Sequence, residues 1–448
     1  MSRLPLTAWR RPDAVVAHRP EGPVTLAQFL ADVGQLAARL PAGSALLNMC
    51  EDRYRFTVGL AAGIVAGKLS LLPASHSADT VRQLKDFAAD LFCLEDGHAD
   101  DIDLPRVAYP AQPAPADPAA PVPGIDAERV VAVLFTSGST GTPTPHRRTW
   151  GSIVANGSAE AERLGFAAAG CAIVGTVPPQ HSYGFESTVL LGLFGRCAPW
   201  SGRPFYPADI AAALAAVPRP RLLVTTPFHL RALLDSGVEV PPVDLLLSAT
   251  APLSQALAAA AEQRLGAPLI EIYGCTEAGQ LASRRTRDTA AWQPLAGVRI
   301  EVTDGNAVAS GNYVAGRVVL ADIIGLQADG SFLLHGRHAD MVNIAGKRSS
   351  LAYLNHQLNA IAGVTDGCFF MPDADPADAT EHVTRLAAFV VAPTLTSADI
   401  LAALKARIDA AFLPRPLVFV DRLPRNATGK LPRDVLQGLL DRRHGRAT

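Results

Sequence analysis

Residues 131–135 read Val-Ala-Val-Leu-Phe, and Thr136-Ser-Gly-Ser-Thr-Gly-Thr-Pro143 follows without a break. A short apolar run bounded by turn formers predicts a buried strand. The loop after it is made of hydroxyls and glycines. Glycine lets the backbone curl until successive N–H groups point inward, and the hydroxyls add donors, an arrangement that suits phosphate oxygens. A plain Ser/Gly linker is the alternative, but a linker rarely follows a buried strand and precedes a helical pattern such as Trp150 to Leu164. A second stretch, Tyr273-Gly-Cys-Thr-Glu277, follows the apolar run Leu269 to Ile272. A carboxylate beside a hydroxyl at a strand end suits a hard cation shared with phosphate.

The elements that must hold these groups alternate. Beyond the loop, strand patterns at 172–177, 222–225, 244–248 and 269–273 are separated by helical patterns at 186–194, 228–234 and 253–265. Such alternation predicts an α/β fold with a mainly parallel sheet and right-handed crossovers, whose ligands bind at the carboxyl ends of the strands. Residues 1 to about 100 alternate in the same way, and the Pro/Ala-rich stretch 105–124 predicts an extended surface crossing. After about Gly336 the pattern shrinks to a unit of about 110 residues, read as a separate α+β cap.

The chain has 448 residues and a net charge of −2, so neither nucleic acid nor an anionic membrane surface is an expected partner. Its six cysteines form no C-x-x-C pair, which argues against zinc and disulfides and for a reducing, cytoplasmic setting. The N-terminus lacks a signal-peptide core, and the most apolar window, 56–72, is broken by Lys68, so no membrane insertion is expected. Only five lysines occur: Lys68, Lys85, Lys347, Lys405 and Lys430.

The loop fits neither G-x-x-x-x-G-K-[ST] nor G-x-G-x-x-G. It resembles the nucleotide loop of the adenylate-forming superfamily: acyl- and aryl-CoA synthetases, amino-acid adenylation domains and luciferases. Eight of nine positions fit Thr-Ser-Gly-Ser/Thr-Thr-Gly-x-Pro-Lys, and the lysine is Thr144. The resemblance covers nearly the whole chain. It implies a large N-terminal domain (1–336) binding ATP and the acid, a hinge (337–340) and a mobile C-terminal cap (341–448). ATP and Mg²⁺ are the implied cofactors.

Residue by residue, the resemblance assigns Thr136, Ser137, Gly138, Ser139, Thr140 and Gly141 to the phosphates. It assigns Tyr273 and Gly274 to the adenine site, Thr276 to the α-phosphate and Glu277 to Mg²⁺. Ser248-Ala-Thr-Ala-Pro252 stands where relatives have a Gly-rich adenine wall, with Ala249 and Thr250 in place of glycines. A plain βα turn is the other reading of Thr250. Asp322 and Arg337, fifteen positions apart around Asp329-Gly330, match the ribose-binding pair; a carboxylate accepts from hydroxyls and an arginine bridges to phosphate. Gly336-Arg-His-Ala-Asp340 keeps only one of the two acids usual in the hinge. Lys430, ending Leu423-Pro-Arg-Asn-Ala-Thr-Gly-Lys430, matches the lysine that reaches substrate carboxylate and α-phosphate. Arg147 or Arg148 is the candidate replacement for the missing loop lysine.

Pro178-Pro-Gln-His-Ser-Tyr-Gly-Phe-Glu-Ser187 resembles the acyl-pocket stretch of coumarate-type aryl-CoA ligases. The match implies a gate at His181 and an aryl slot lined by Tyr183, with Phe228, Ala249, Gly274 and Gly279 as further walls. Taken singly, each of these reads more readily as core than as a ligand contact, with Phe228 nearest to an even balance. Glu186 has two readings, a solvated helix-start carboxylate or the partner of a substrate ammonium. The implied function is AMP-forming ligation: a small aromatic acid of hydroxybenzoate or hydroxycinnamate type is adenylated and passed to a phosphopantetheine thiol of CoA or an acyl carrier protein. The shortened chain and altered loop look most like the AMP-ligases of aryl-polyene and xanthomonadin-type pigment biosynthesis. An amino-acid adenylation enzyme and a non-catalytic ATP-binding paralogue are the alternatives.

Overall fold

The computed structural model describes residues 2–73, 75–97, 102–136, 144–166, 170–337, 341–344, 347–372, 385–425 and 431–443. They form two compact units: Met1–Ala249 with Leu257–Ile300 and Ala309–Val318, and Thr250–Ala256 with Glu301–Val308 and Val319–Thr448. Among the described residues no helix is long and apolar enough to cross a membrane.

Two mainly parallel sheets organise the first unit. The six-stranded sheet runs, from one edge, Thr144–Thr149, Val130–Thr136, Leu69–Leu72, Ala45–Asn48, Phe92–Glu95 and Arg106–Ala108. Only its first pair is antiparallel. Val131 to Phe135 are buried on both faces, as parallel strands covered by helices must be. The seven-stranded sheet runs Cys197–Pro199, Cys171–Gly175, Arg221–Thr225, Leu245–Ser248, Leu269–Cys275, Gly279–Arg284 and Gln293–Pro294. Its first five strands are parallel and its last two antiparallel. The α/β expectation holds.

Two local expectations change. The helix Trp150–Leu164 starts where its pattern predicts, capped by the Thr149 hydroxyl and closed by Gly165 at φ 76°. The loop, however, does not lead straight into it. A six-residue strand, Thr144–Thr149, first returns antiparallel along Val130–Thr136. Its polar composition hides it, because it lies at the sheet edge with one face open, where Pro145 is tolerated. The Pro/Ala-rich crossing also contributes a short edge strand, Arg106–Ala108, and is otherwise irregular up to Gly124.

Arg53 opens the buried helix Arg53–Val65 and is itself fully buried. Its Nη2 donates to the carbonyls of Gly175 (2.8 Å) and Val177 (3.0 Å), fixing the strand end that leads to His181. Gly184, further along that segment, has to be glycine: a Cβ there would lie 1.9 Å from the Pro178 carbonyl oxygen.

In the second unit, Asp322–Leu326 and Phe332–Arg337 form a hairpin with a bulge after Ile323 and Gly330 at φ 82° in its turn. A three-stranded sheet follows, Asp366–Phe370 antiparallel to Ala387–Val391 and Leu417–Phe419 parallel to it. Leu354, Leu358, Phe369, Ile400 and Leu404 are buried in one apolar cluster between that sheet and the helices Leu351–Asn359 and Ser397–Lys405. The Arg425–Asp366 pair (2.8 Å) ties the stretch before Asn426 to the sheet.

Arg53→Met removes the donor for two buried carbonyls. The unpartnered Nε and Nη1 of Arg53 temper the loss. A net cost of about 2 kcal/mol is expected, read as a lower urea midpoint; an unchanged midpoint would show that the strand end does not depend on Arg53.

Candidate active site

Thr136 ends the loop strand, and its hydroxyl lies 2.9 Å from His146 Nε2 on the returning strand. Side chains alternate along a strand, so Thr144, His146 and Arg148 share one face, with burial increasing from exposed to buried along it. Arg147 points the other way and is exposed. Arg148 does not serve as the replacement lysine. It is buried, and its Nη2 donates to the carbonyl of Thr276 at 2.7 Å. Burial pulls its guanidinium below the usual arginine range, opposed by the nearby acids Glu186 and Glu277. His146 is likewise held down by burial, with Glu277 pulling the other way.

Thr276 and Glu277 lie in a tight turn between the antiparallel strands Leu269–Cys275 and Gly279–Arg284. The Ala278 amide donates to the Cys275 carbonyl, and a bulge falls between Tyr273 and Gly274. A Cβ on Gly274 would come within 2.4 Å of the Gly279 carbonyl oxygen. Tyr273 is half-buried and tilts against Trp292 at 5.5 Å, and Arg284 covers that indole at 4.2 Å. Glu277 beside the Thr276 hydroxyl fits a cation such as Mg²⁺, which takes one carboxylate and completes its shell with phosphate and water oxygens.

His181 precedes a helical run made of the turn Ser182–Gly184, the π-helical stretch Phe185–Leu190 and Leu191–Phe194. π-Helical turns are rare and concentrate at functional sites. Tyr183 is buried in the same apolar cluster as Ala249 and Ile272, and its hydroxyl donates to the Leu247 carbonyl at 3.0 Å. Its ring is therefore available as a wall while its polar end is engaged. Phe228 is 42 % exposed, so the core reading of that residue fails.

Glu186 is not a solvated carboxylate: it is 6 % exposed. Burial pushes its carboxyl up to about 8 against the pull of Arg148. Sequence reasoning missed its neighbour Glu160, fully buried on the helix Trp150–Leu164 and pushed by burial up to about 7. The Ser187 hydroxyl donates to Glu160 Oε1 (2.6 Å), Gln280 Nε2 donates to Ser187 Oγ (2.8 Å), and the Tyr313 hydroxyl donates to the Gln280 carbonyl (2.9 Å). No motif marks Glu160; the signal was an acid on the face of the helix that carries Ile153 and Trp150 inward.

Thr136, Thr276, Glu277 and Gly279 are thus gathered around His146, Arg148 and Glu186 in the first unit. Thr250 takes φ 80°, a strained left-handed conformation for a β-branched residue and the physical reason a glycine suits that turn. Asp322 and Arg337 are direct partners across the second-unit hairpin. Ser137, Gly138, Ser139, Thr140, Gly141, most of the hinge (338–340) and Lys430 lie outside the described residues.

A family model described as "AMP-binding enzyme" matches residues 6–322. The chain is 30 % identical over 313 residues to a 4-coumarate–CoA ligase from Rhodobacter capsulatus, covering 68 % of this chain and 75 % of that one. Among solved structures, ATP-bound MatB from Rhodopseudomonas palustris superposes with a TM-score of 0.83 at 19 % identity, over 97 % of this chain and 99 % of that one. The o-succinylbenzoate CoA synthetase of Bacillus subtilis, with its acyl-adenylate, gives 0.79 at 18 % identity, over 98 % and 99 %.

Glu160 and Glu186 keep protons in the folded chain that an unfolded chain releases near 4.5. The folded state binds the extra protons, so stability should fall as pH rises from about 4.5 to about 8 and then level off. Urea midpoints across that range should show the decline, and Glu160→Gln or Glu186→Gln should flatten it. An equal slope in both variants would mean that neither carboxyl is protonated when folded.

Proposed function

The chain belongs to the AMP-binding enzymes, the adenylate-forming superfamily, and on that premise we propose that it activates a small aromatic carboxylic acid. In the first half-reaction a carboxylate oxygen of the acid attacks the α-phosphorus of ATP and pyrophosphate departs. In the second, a phosphopantetheine thiol attacks the acyl carbon and AMP departs. The protein is an ATP-dependent acid–thiol ligase.

The observation that carries this reading is the junction at Arg148. It joins the strand leaving the Thr136 loop to the Thr276–Glu277 turn, so the two phosphate-facing motifs sit side by side in one unit. Loop 136–141 and Thr276 would hold the phosphates, Glu277 the Mg²⁺, and Tyr273 with Gly274, Ala249 and Thr250 the adenine. Asp322 and Arg337, opposite one another in their hairpin, would take the ribose. Lys430 would stabilise charge as carboxylate meets phosphorus, and Mg²⁺ supplies further neutralisation when bound. His181 would gate the reacting carboxylate, with the Tyr183 ring, Phe228 and Gly279 lining the acyl slot.

A hydroxybenzoate or hydroxycinnamate fits a pocket with an aromatic wall and buried polar groups, and the similarity to a coumarate ligase supports the aromatic class. For the acceptor, the likeness of the Pro178–His181 stretch to pigment-cluster AMP-ligases favours an acyl carrier protein, with CoA as the other acceptor. The amino-acid reading is weakened, because Arg148 beside Glu186 repels a substrate ammonium.

The test is pyrophosphate release from ATP and Mg²⁺ across benzoates, cinnamates, amino acids and fatty acids. Release with aromatic acids is expected, falling by about 100-fold or more in Lys430→Ala and Glu277→Gln. Release with amino acids alone, or none despite ATP binding, would contradict the reading.

A further inference from the structure

Behind the Thr276–Glu277 turn, wholly within the first unit, lies a narrow cavity lined by Arg148, Asn156, Phe185, Glu186, Gly279 and Tyr313. It has room for a group about the size of one water molecule. Its polar walls are mostly engaged: Arg148 donates to the Thr276 carbonyl and Tyr313 to that of Gln280. The exception is Asn156. The residue is 5 % exposed, and its side-chain oxygen is buried without a hydrogen-bond partner. The amide nitrogen of Asn156 and Oε1 of Glu186 flank the bare Cα of Gly279, 2.8 and 3.3 Å from where a Cβ would sit. Gly279, at φ 84°, keeps that space open.

A buried acceptor without a donor is destabilising, and a ligand that supplies the donor recovers that loss. The donor must be small, because the space is small. It is better neutral than cationic, because the Arg148 guanidinium stands in the same wall. Two residues of its lining are close in the chain to candidate site residues. Gly279 lies two residues past Glu277, and Glu186 five past His181 on one helical run.

We propose that Asn156, with Glu186, reads a hydroxyl group of the acid substrate, the hydroxyl donating to Asn156 Oδ1 and accepting from the walls around it. The proposal rests on the aromatic-acid reading above and makes it specific: a free ring hydroxyl is selected, while a methoxyl at the same position brings no donor and extra bulk.

The experiment compares kcat/KM from pyrophosphate release for benzoate, the hydroxybenzoates and the matching methoxybenzoates, in wild type and Asn156→Ala. Wild type should prefer one hydroxylated isomer over its methoxyl counterpart by about 100-fold or more. In Asn156→Ala that ratio should fall by about tenfold or more. Thermal denaturation checks folding, and Asn156→Val, closer in volume and without an acceptor, gives the same readout if the alanine variant does not fold. An unchanged ratio in a folded variant, with wild type active on aromatic acids, overturns this proposal and leaves the ligase reading standing. No release by wild type with any aromatic acid overturns both.

Discussion

A single buried guanidinium holds the candidate site together. Arg148 leaves the six-stranded sheet on the strand that returns from the phosphate loop, and it donates to the Thr276 carbonyl at the end of the seven-stranded sheet. Arginine does not shed its proton in a protein interior, so the buried charge has to be met by acceptors and acids. Thr276 O supplies the first, and Glu186 and Glu277 supply the second. The two sheets are therefore registered to one another where the strand Thr144–Thr149 meets the Thr276–Glu277 turn, a positional demand that apolar packing alone meets less sharply.

The same cation shapes the acyl side. Glu186 and Glu160 are buried within one helical layer, and burial outweighs Arg148 in keeping the Glu186 carboxyl high. Ser187, itself held by Gln280, satisfies one oxygen of Glu160, whereas Asn156, in the cavity wall, keeps an unpartnered acceptor. A wall that mixes an engaged cation, a raised carboxyl and a free acceptor is built for a neutral polar group. The Tyr183 ring, its hydroxyl committed to Leu247, would supply the apolar side of the proposed slot.

The βα alternation, the helix 150–164 and the turn at Tyr273-Gly-Cys-Thr-Glu277 were legible in the sequence, because their apolar periods and turn residues are local signals. So was the pairing of Asp322 with Arg337, where Asp329-Gly330 announces a hairpin. The returning strand Thr144–Thr149 was not, since an edge strand with one open face has no apolar alternation to display. Arg148 read as one of two candidate replacements for the missing loop lysine. Only the register of that strand turns it inward, toward a carbonyl 128 residues away. Glu160 and Asn156 were hidden for a related reason: burial of a lone polar residue in a helix is decided by what packs across from it. Thr250 shows the converse, a departure from glycine visible in the sequence whose meaning, a strained left-handed φ, needs coordinates.

The most direct test of this account is acid-dependent exchange of labelled pyrophosphate into ATP, which reports formation of the acyl-adenylate alone, in wild type, Arg148→Lys and Arg148→Met. If Arg148 registers the loop strand to the Thr276–Glu277 turn, wild type exchanges label with an aromatic acid. Arg148→Met should then lose about 100-fold or more, and Arg148→Lys, which keeps the charge but not the planar fork, should fall between. Wild-type exchange rates in a folded Arg148→Met protein would show that the two motifs are aligned without it and would contradict the central claim.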